Sequence, residues 1–150
     1  MLFRSTEDQN FFSHYGVDPL AVARAMVTNL KNINEDRRMI GASTITQQVA
    51  RMPGLGLLDN DYGPERKIKE AILSLRIERA LSKERIFEIY LNVIEWGDGV
   101  FGADAAARHY YHIGAAQLSA SQAARLAAMV PNPRYYDGHR EAREIGRAHV

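Results

Sequence analysis

The sequence predicts an all-α fold, or one nearly so. Three observations carry this expectation. Apolar residues recur at i, i+3, i+4 and i+7 through most of the chain, helix-starting and helix-stopping residues punctuate the runs, and no run alternates with period two long enough to make a strand. At 150 residues and 46% hydrophobic, the chain is long and apolar enough for one domain whose core needs no crosslink. Its 19 Lys+Arg against 18 Asp+Glu give a net charge of +1, which argues against a broadly basic nucleic-acid binder. The absence of cysteine fits either redox compartment.

The elements follow in order. Asp18 can cap and Pro19 can open a helix that places Ala23, Met26, Val27 and Leu30 on one face. A polar connection over 32–38 follows. Ser43 or Thr44 begins a second helix, with Thr44 and Gln47 at capping-box spacing. Pro53, Gly54, Gly56 and Gly63 make 52–63 a loop, expected to be mobile. Pro64 opens the longest helix, reaching about Leu81, with Ile68, Ala71, Ile72 and Leu75 on one face. Ser82 can cap the next, where Ile86, Ile89, Tyr90 and Val93 repeat the spacing. A glycine connection over 97–102 leads to a helix over 103–111, and Ser119 with Gln122 caps a last helix that Pro131 stops.

Several motifs have plain structural explanations. Gly97, Gly99 and Gly102 spell G-x-G-x-x-G, but a helix rather than a strand precedes them, so they read as a connection and not a dinucleotide fingerprint. Among the five histidines, His109 and His112 lack the partners of a metal motif, and His14 beside Phe11, Phe12 and Tyr15 reads as packed structure. Ser43 has no nucleophile elbow. Capping accounts for Ser43 and Thr44 but not for Gln47, Gln48 and Arg51, whose amides and cation suit sugar hydroxyls or phosphate oxygens. Arg66, Lys67 and Lys69 stand in the first turns of a helix, where cations oppose the macrodipole and an anionic ligand would compensate. The simpler alternative is a solvated face with an Arg66 to Glu70 i,i+4 pair. Glu7 and Asp8 precede an aromatic cluster at Phe11 and Phe12, surroundings that can prepare a carboxylate for acid or base work, although alone they read as an N-terminal helix carboxylate or a surface pair and gain weight only beside Glu70 and its cations.

In combination these segments resemble the family 51 glycosyltransferases, peptidoglycan polymerases found alone or as the first domain of class A penicillin-binding proteins. Glu7-Asp8-Gln9-Asn10-Phe11-Phe12-Ser13-His14-Tyr15-Gly16 is similar to that family's E-D-x-x-F-x-x-H-x-G, and Gly41-Ala42-Ser43-Thr44-Ile45-Thr46-Gln47-Gln48 to its G-x-S-T-I-T-Q-Q. Arg66-Lys67-Ile68-Lys69-Glu70 resembles R-K-x-x-E, and Lys83, Ile86, Tyr90, Leu91 and Asn92 resemble K-x-x-I-x-x-x-Y-L-N. Residues 105–111 and 116–133 resemble the remaining block.

The resemblance implies a lysozyme-like helical fold with an active-site cleft between two lobes, and a domain over 1–143. It implies inverting transfer of a lipid-linked disaccharide-peptide (lipid II) to a growing glycan strand, with undecaprenyl diphosphate leaving. It assigns Glu7 as catalytic base and Glu70 as the second catalytic carboxylate, organising the donor diphosphate or a divalent cation such as Mg2+; both are expected to face one cleft, with Arg51, Arg66 and Lys67 on the Glu70 side. Ser43, Gln48, Arg51, Arg66 and Lys67 take substrate-binding roles. Lipid II, the glycan strand, the membrane surface and other cell-wall synthesis proteins are the implied partners, with no nucleic acid, at the extracytoplasmic face of the bacterial cytoplasmic membrane. Arg51 departs from the usual lysine, exchanging a compact ammonium for a planar fork. The 52–63 loop is richer in glycine than the family's, and a basic residue often found before the R-K pair is not evident. No run of the sequence reaches the length of a membrane span, so the family's anchor is expected upstream of Met1. Residues 144–150 read as a non-native tail, because Ile145 through Val150 reverse-translate to ATC GGA AGA GCA CAC GTC, which resembles a sequencing adapter.

Two other functions suit parts of the pattern. A glycan hydrolase would also use paired glutamates, but it needs a proton donor for the leaving oxygen and has no use for Arg51, Arg66 and Lys67. An inactive helical binding module would not need both Glu7 and Glu70.

Overall fold

A computed structural model describes residues 7–34, 40–52, 55–58 and 63–139. Among them the elements are α1 (Pro19–Asn34), α2 (Ile45–Ala50), α3 (Pro64–Ala80), α4 (Lys83–Val93), β1 (Glu95–Gly97), β2 (Val100–Phe101), α5 (Ala103–Tyr111), α6 (Ala120–Met129) and α7 (Pro133–Gly138). Among the described residues the secondary structure is helical apart from one hairpin and a single bridge between Tyr15 and Val17, as the periodicity predicts. The chain forms two compact units, one of Asn10–Phe87 and one of the described parts of Met1–Gln9 and Glu88–Val150.

In the Asn10–Phe87 unit, Asp18 caps α1 as expected, its Oδ1 accepting from the backbone N–H of Leu20 at 2.9 Å and Ala21 at 3.0 Å. The helix runs to Asn34, past the start of the polar connection read from sequence. Short α2 owes its start to the predicted capping box: Thr44 Oγ1 accepts from Gln47 N–H, and Gln47 Oε1 accepts from Thr44 N–H, so capping accounts for the buried Gln47 amide after all, against the sequence expectation of a ligand group. The Thr44 hydroxyl also donates to Gly16 O at 2.6 Å. Gly16 has φ +67°, and a Cβ there would stand 2.9 Å from Leu75 Cδ2, so the turn can approach α3 only as glycine. Phe11, Ile45, Val49, Ala50 and Ile86 form the apolar core of this unit.

The two long helices turn their apolar faces outward. On α1, Leu20, Met26, Val27, Leu30 and Ile33 are all more than half exposed, and on α3, Ile68, Ile72 and Leu75 are exposed. What α3 buries is Glu70, Ser74 and Glu78, a polar stripe at four-residue spacing. It packs against α2, which in turn buries Thr46 and Gln47.

The other unit packs Tyr90, Ile94, Trp96, Ala106, Ala107, Leu126 and Ala127. Its glycine connection is an antiparallel hairpin pairing Glu95 with Phe101 and Gly97 with Val100, which the period-two test missed because strands of three and two residues show no alternation. The Ser119–Gln122 capping box forms as predicted. The sequence predicts no helix beyond Pro131, yet α7 begins there with Asn132 at its cap and Pro133 in its first turn, where proline is favoured. Among the described residues no helix is long and apolar enough to cross a membrane.

Candidate active site

The buried carboxylate of Glu70 is the centre of the polar cluster in the Asn10–Phe87 unit. None of its side chain is exposed, and Lys67 Nζ donates to its Oε2 at 2.6 Å. Arg66 Nε stands 3.3 Å from its Oε1, an ion pair without the alignment of a hydrogen bond. The i,i+4 pair allowed by the sequence is therefore present, but it surrounds a buried acid and is no solvated face. A buried carboxylate is costly unless cations and donors surround it, and here one turn of α3 supplies both cations.

Lys67 extends the cluster to the residue before the α2 cap, donating to Ser43 Oγ at 2.9 Å. Ser43 and Glu70 take two of its three N–H groups, and the side chain is 47% exposed. Gln48 is half-buried on α2, and Arg51 closes that helix with an exposed side chain and a backbone N–H bonded to Gln47 O at 3.2 Å. One unit thus holds Ser43, Gln48, Arg51, Arg66, Lys67 and Glu70, with Ser43, Arg66, Lys67 and Glu70 in linked contact. Glu7, half-buried beside buried Asp8, belongs to the other unit. The loop over 52–63 is described only in part, and 144–150 lies outside the described residues.

The donor set around Glu70 does not fit a divalent cation held by the protein. Lys67 already occupies Oε2, Arg66 faces Oε1, and no group of three acidic or histidine side chains gathers among the described residues. The fixed cations present positive charge suited to an anionic ligand.

Sequence reasoning passed over two clusters. Glu78 Oε1 accepts from buried Thr46 and from Lys83 Nζ at 2.7 Å. The signal was available in the Glu70, Ser74, Glu78 spacing. In the other unit, Asp137 Oδ1 pairs with His109 Nε2 at 3.0 Å, and its Oδ2 accepts from Asp98 N–H at 3.0 Å. Burial pushes the Asp137 carboxyl up, but the bonds from His109, Asp98 and Tyr110 outweigh it and hold the group below its ordinary value. No local spacing announced that pair, since its members lie 28 residues apart.

Comparison with known proteins gives a concordant picture. A family model described as transglycosylase matches residues 2–149. Similar relatives include the biosynthetic peptidoglycan transglycosylases of Methylobacillus flagellatus, 52% identical over 94% of this chain and 59% of its own length, and of Dechloromonas aromatica, 52% identical over 95% of this chain and 59% of its own. That of Bordetella avium is 53% identical over 94% of this chain and 58% of its own length. The chain spans about three fifths of the length of these curated relatives. A match over nearly every residue, with all the motifs inside it, shows that the chain belongs to the transglycosylase family, the family 51 glycosyltransferases that its motifs resemble.

Proposed function

We propose that the chain is the polymerising part of a peptidoglycan glycosyltransferase that joins lipid-linked disaccharide-peptide units into glycan strands. The observation that supports this most is the buried Glu70 ringed by Lys67 and Arg66, with Lys67 reaching Ser43. A cation cluster fixed before substrate arrives suits a leaving group that departs as an anion, because it need not reorganise as charge develops.

In the proposed reaction Glu7 takes the proton from the 4-hydroxyl of the acceptor sugar as that oxygen attacks C1 of the donor. The new O–C1 bond forms while the bond from C1 to the diphosphate oxygen breaks, and the undecaprenyl diphosphate leaves with the bonding electrons. Direct displacement inverts the anomeric centre and gives a β linkage. Lys67 offers its third N–H to a phosphate oxygen, Arg66 and Arg51 add charge, and Ser43 and Gln48 add neutral donors. Glu70 holds the cations in place. The leaving group needs no general acid, since these cations stabilise it as it departs.

The exposed apolar faces of α1 and α3 support work at a lipid surface, which for this reaction is the extracytoplasmic face of the bacterial cytoplasmic membrane. The decisive experiment is Glu7→Gln assayed with lipid-linked disaccharide-peptide in detergent. Loss of a general base should slow polymerisation by about 10² to 10⁴ while donor binding persists. Polymerisation at the unmodified rate would remove Glu7 from this role, and release of free saccharides in place of polymer would favour a hydrolase.

A further inference from the structure

We propose that Thr46, Glu78 and Lys83 form a positioning clamp that keeps α2 in register with α3 while the diphosphate is bound. The inference rests on the donor-site reading above. Thr46 is fully buried in α2 and donates to Glu78 Oε1, and Lys83 Nζ donates to the same oxygen at 2.7 Å. Glu78 Oε2 has no hydrogen-bond partner among the described residues, so both ties converge on one atom. Lys83 Nζ also stands 4.4 Å from the centroid of the Phe11 ring, which brings the segment before α1 into the same knot.

A buried ion pair is a poor device for stability alone, because apolar side chains of similar volume would serve as well without the desolvation cost. What it supplies is a defined geometry. The element needing one is α2, six residues long and too short to hold a position by its own hydrogen bonds. Ser43 precedes it, Gln48 lies within it and Arg51 ends it, so any slip of α2 displaces all three donor-site groups together.

Ser43, just before the Thr44 cap of α2, is tied to Lys67 near the start of α3, and Thr46 is tied to Glu78 near its end. Lys67 and Glu78 are eleven positions apart, which is about 16 Å along a helix axis. The first tie is made by a group that the donor recruits. Lys67 then shares its ammonium between Ser43 and a phosphate oxygen, whereas the inner tie, from Thr46 to Glu78, takes no part in holding the donor and keeps its geometry when the donor binds. Thr46, Glu78 and Lys83 are positioning residues on this reading and touch no substrate.

The test compares binding of a short-chain polyprenyl diphosphate disaccharide to the full chain and to Thr46→Val, Thr46→Ser and Lys67→Ala, with thermal melts run alongside. Valine keeps the shape of threonine and loses the hydroxyl, so donor affinity should fall about three- to tenfold, the equivalent of one hydrogen bond. Thr46→Ser should restore it to within about twofold of the unmodified chain. Affinity measured on the folded fraction is unmoved by a purely structural loss, so a lowered melting temperature with unchanged affinity in Thr46→Val, while Lys67→Ala binds weakly, would overturn the clamp and leave the donor site intact. Unchanged affinity in Lys67→Ala would overturn the donor site and the clamp with it. If Thr46→Val fails to fold, Glu78→Gln replaces it, keeping an acceptor for Thr46 but no charge for Lys83. Weakened donor binding there supports the clamp, and unchanged binding overturns it.

Discussion

Asp18 shows how one side chain couples the start of a helix to pH. Its Oδ1 caps α1, its Oδ2 accepts from Asn10 Nδ2 at 3.0 Å, and the residue is buried. The Ala21 N–H is the largest cause holding its carboxyl below the ordinary value, with Asn10 and Leu20 adding to it against the opposing cost of burial. A lowered folded value means that the unfolded chain binds the proton more readily. The stabilisation is therefore complete above the ordinary carboxylate value and is lost as pH falls through the lowered one. Asp18→Ala should cost about 0.5–2 kcal/mol at neutral pH, and the gap should narrow in acid as the native carboxylate is protonated. Urea denaturation of both proteins across that range checks this; a gap independent of pH would rule out the charged cap. Glu70 behaves differently as a signal. Its number and its cations were legible in R-K-x-x-E, but its burial was not, because burial depends on which face of α3 meets α2.

Capping boxes were the most legible features at the scale of elements, because a hydroxyl and an amide three residues apart satisfy two backbone N–H groups with no help from the rest of the fold. Both formed where the spacing put them. The orientation of α3 was illegible for a related reason: periodicity identifies an apolar stripe but does not say what lies against it. Here Gly16 decides part of the answer. Its left-handed backbone and missing Cβ let the turn before α1 touch Leu75 and Ser74, while its carbonyl receives the hydroxyl that caps α2. Gly16→Ala adds backbone strain and a collision with Leu75, whose backbone N would be 3.0 Å from the new carbon. The expected loss is about 2–4 kcal/mol in denaturation, from strain and overpacking together. A loss under about 0.5 kcal/mol, ordinary for an exposed position, would mean that the turn can withdraw from α3 at little cost.

For the molecule as a whole, the fold class was legible because helical period persists through most of the chain, whereas the hairpin and α7 were too short to carry a period. The destination of the apolar stripe of α1 could not be read from sequence, since an amphipathic helix serves a protein core and a lipid surface equally well. In the folded chain Met26, Val27 and Leu30 are 63%, 56% and 66% exposed, a contiguous helical patch rather than scattered side chains. The proposed substrate is anchored by a polyprenyl chain, so an enzyme that lays this face on the bilayer meets its donor where the donor resides. With a net charge of +1, general attraction to anionic lipid adds little, and binding should persist on zwitterionic vesicles. Each such side chain contributes about 1.5–3 kcal/mol when fully buried, so the double substitution Val27→Ser with Leu30→Ser should weaken vesicle partitioning by at least about tenfold. Because both positions are exposed in water, the same substitutions should change stability by no more than about 0.5 kcal/mol. Co-sedimentation with phosphatidylcholine vesicles measures the first quantity and chemical denaturation the second. Unchanged partitioning would exclude α1 as the lipid-facing surface, and a concentration-dependent dimer abolished by the same substitutions would assign the face to a second copy of the chain instead.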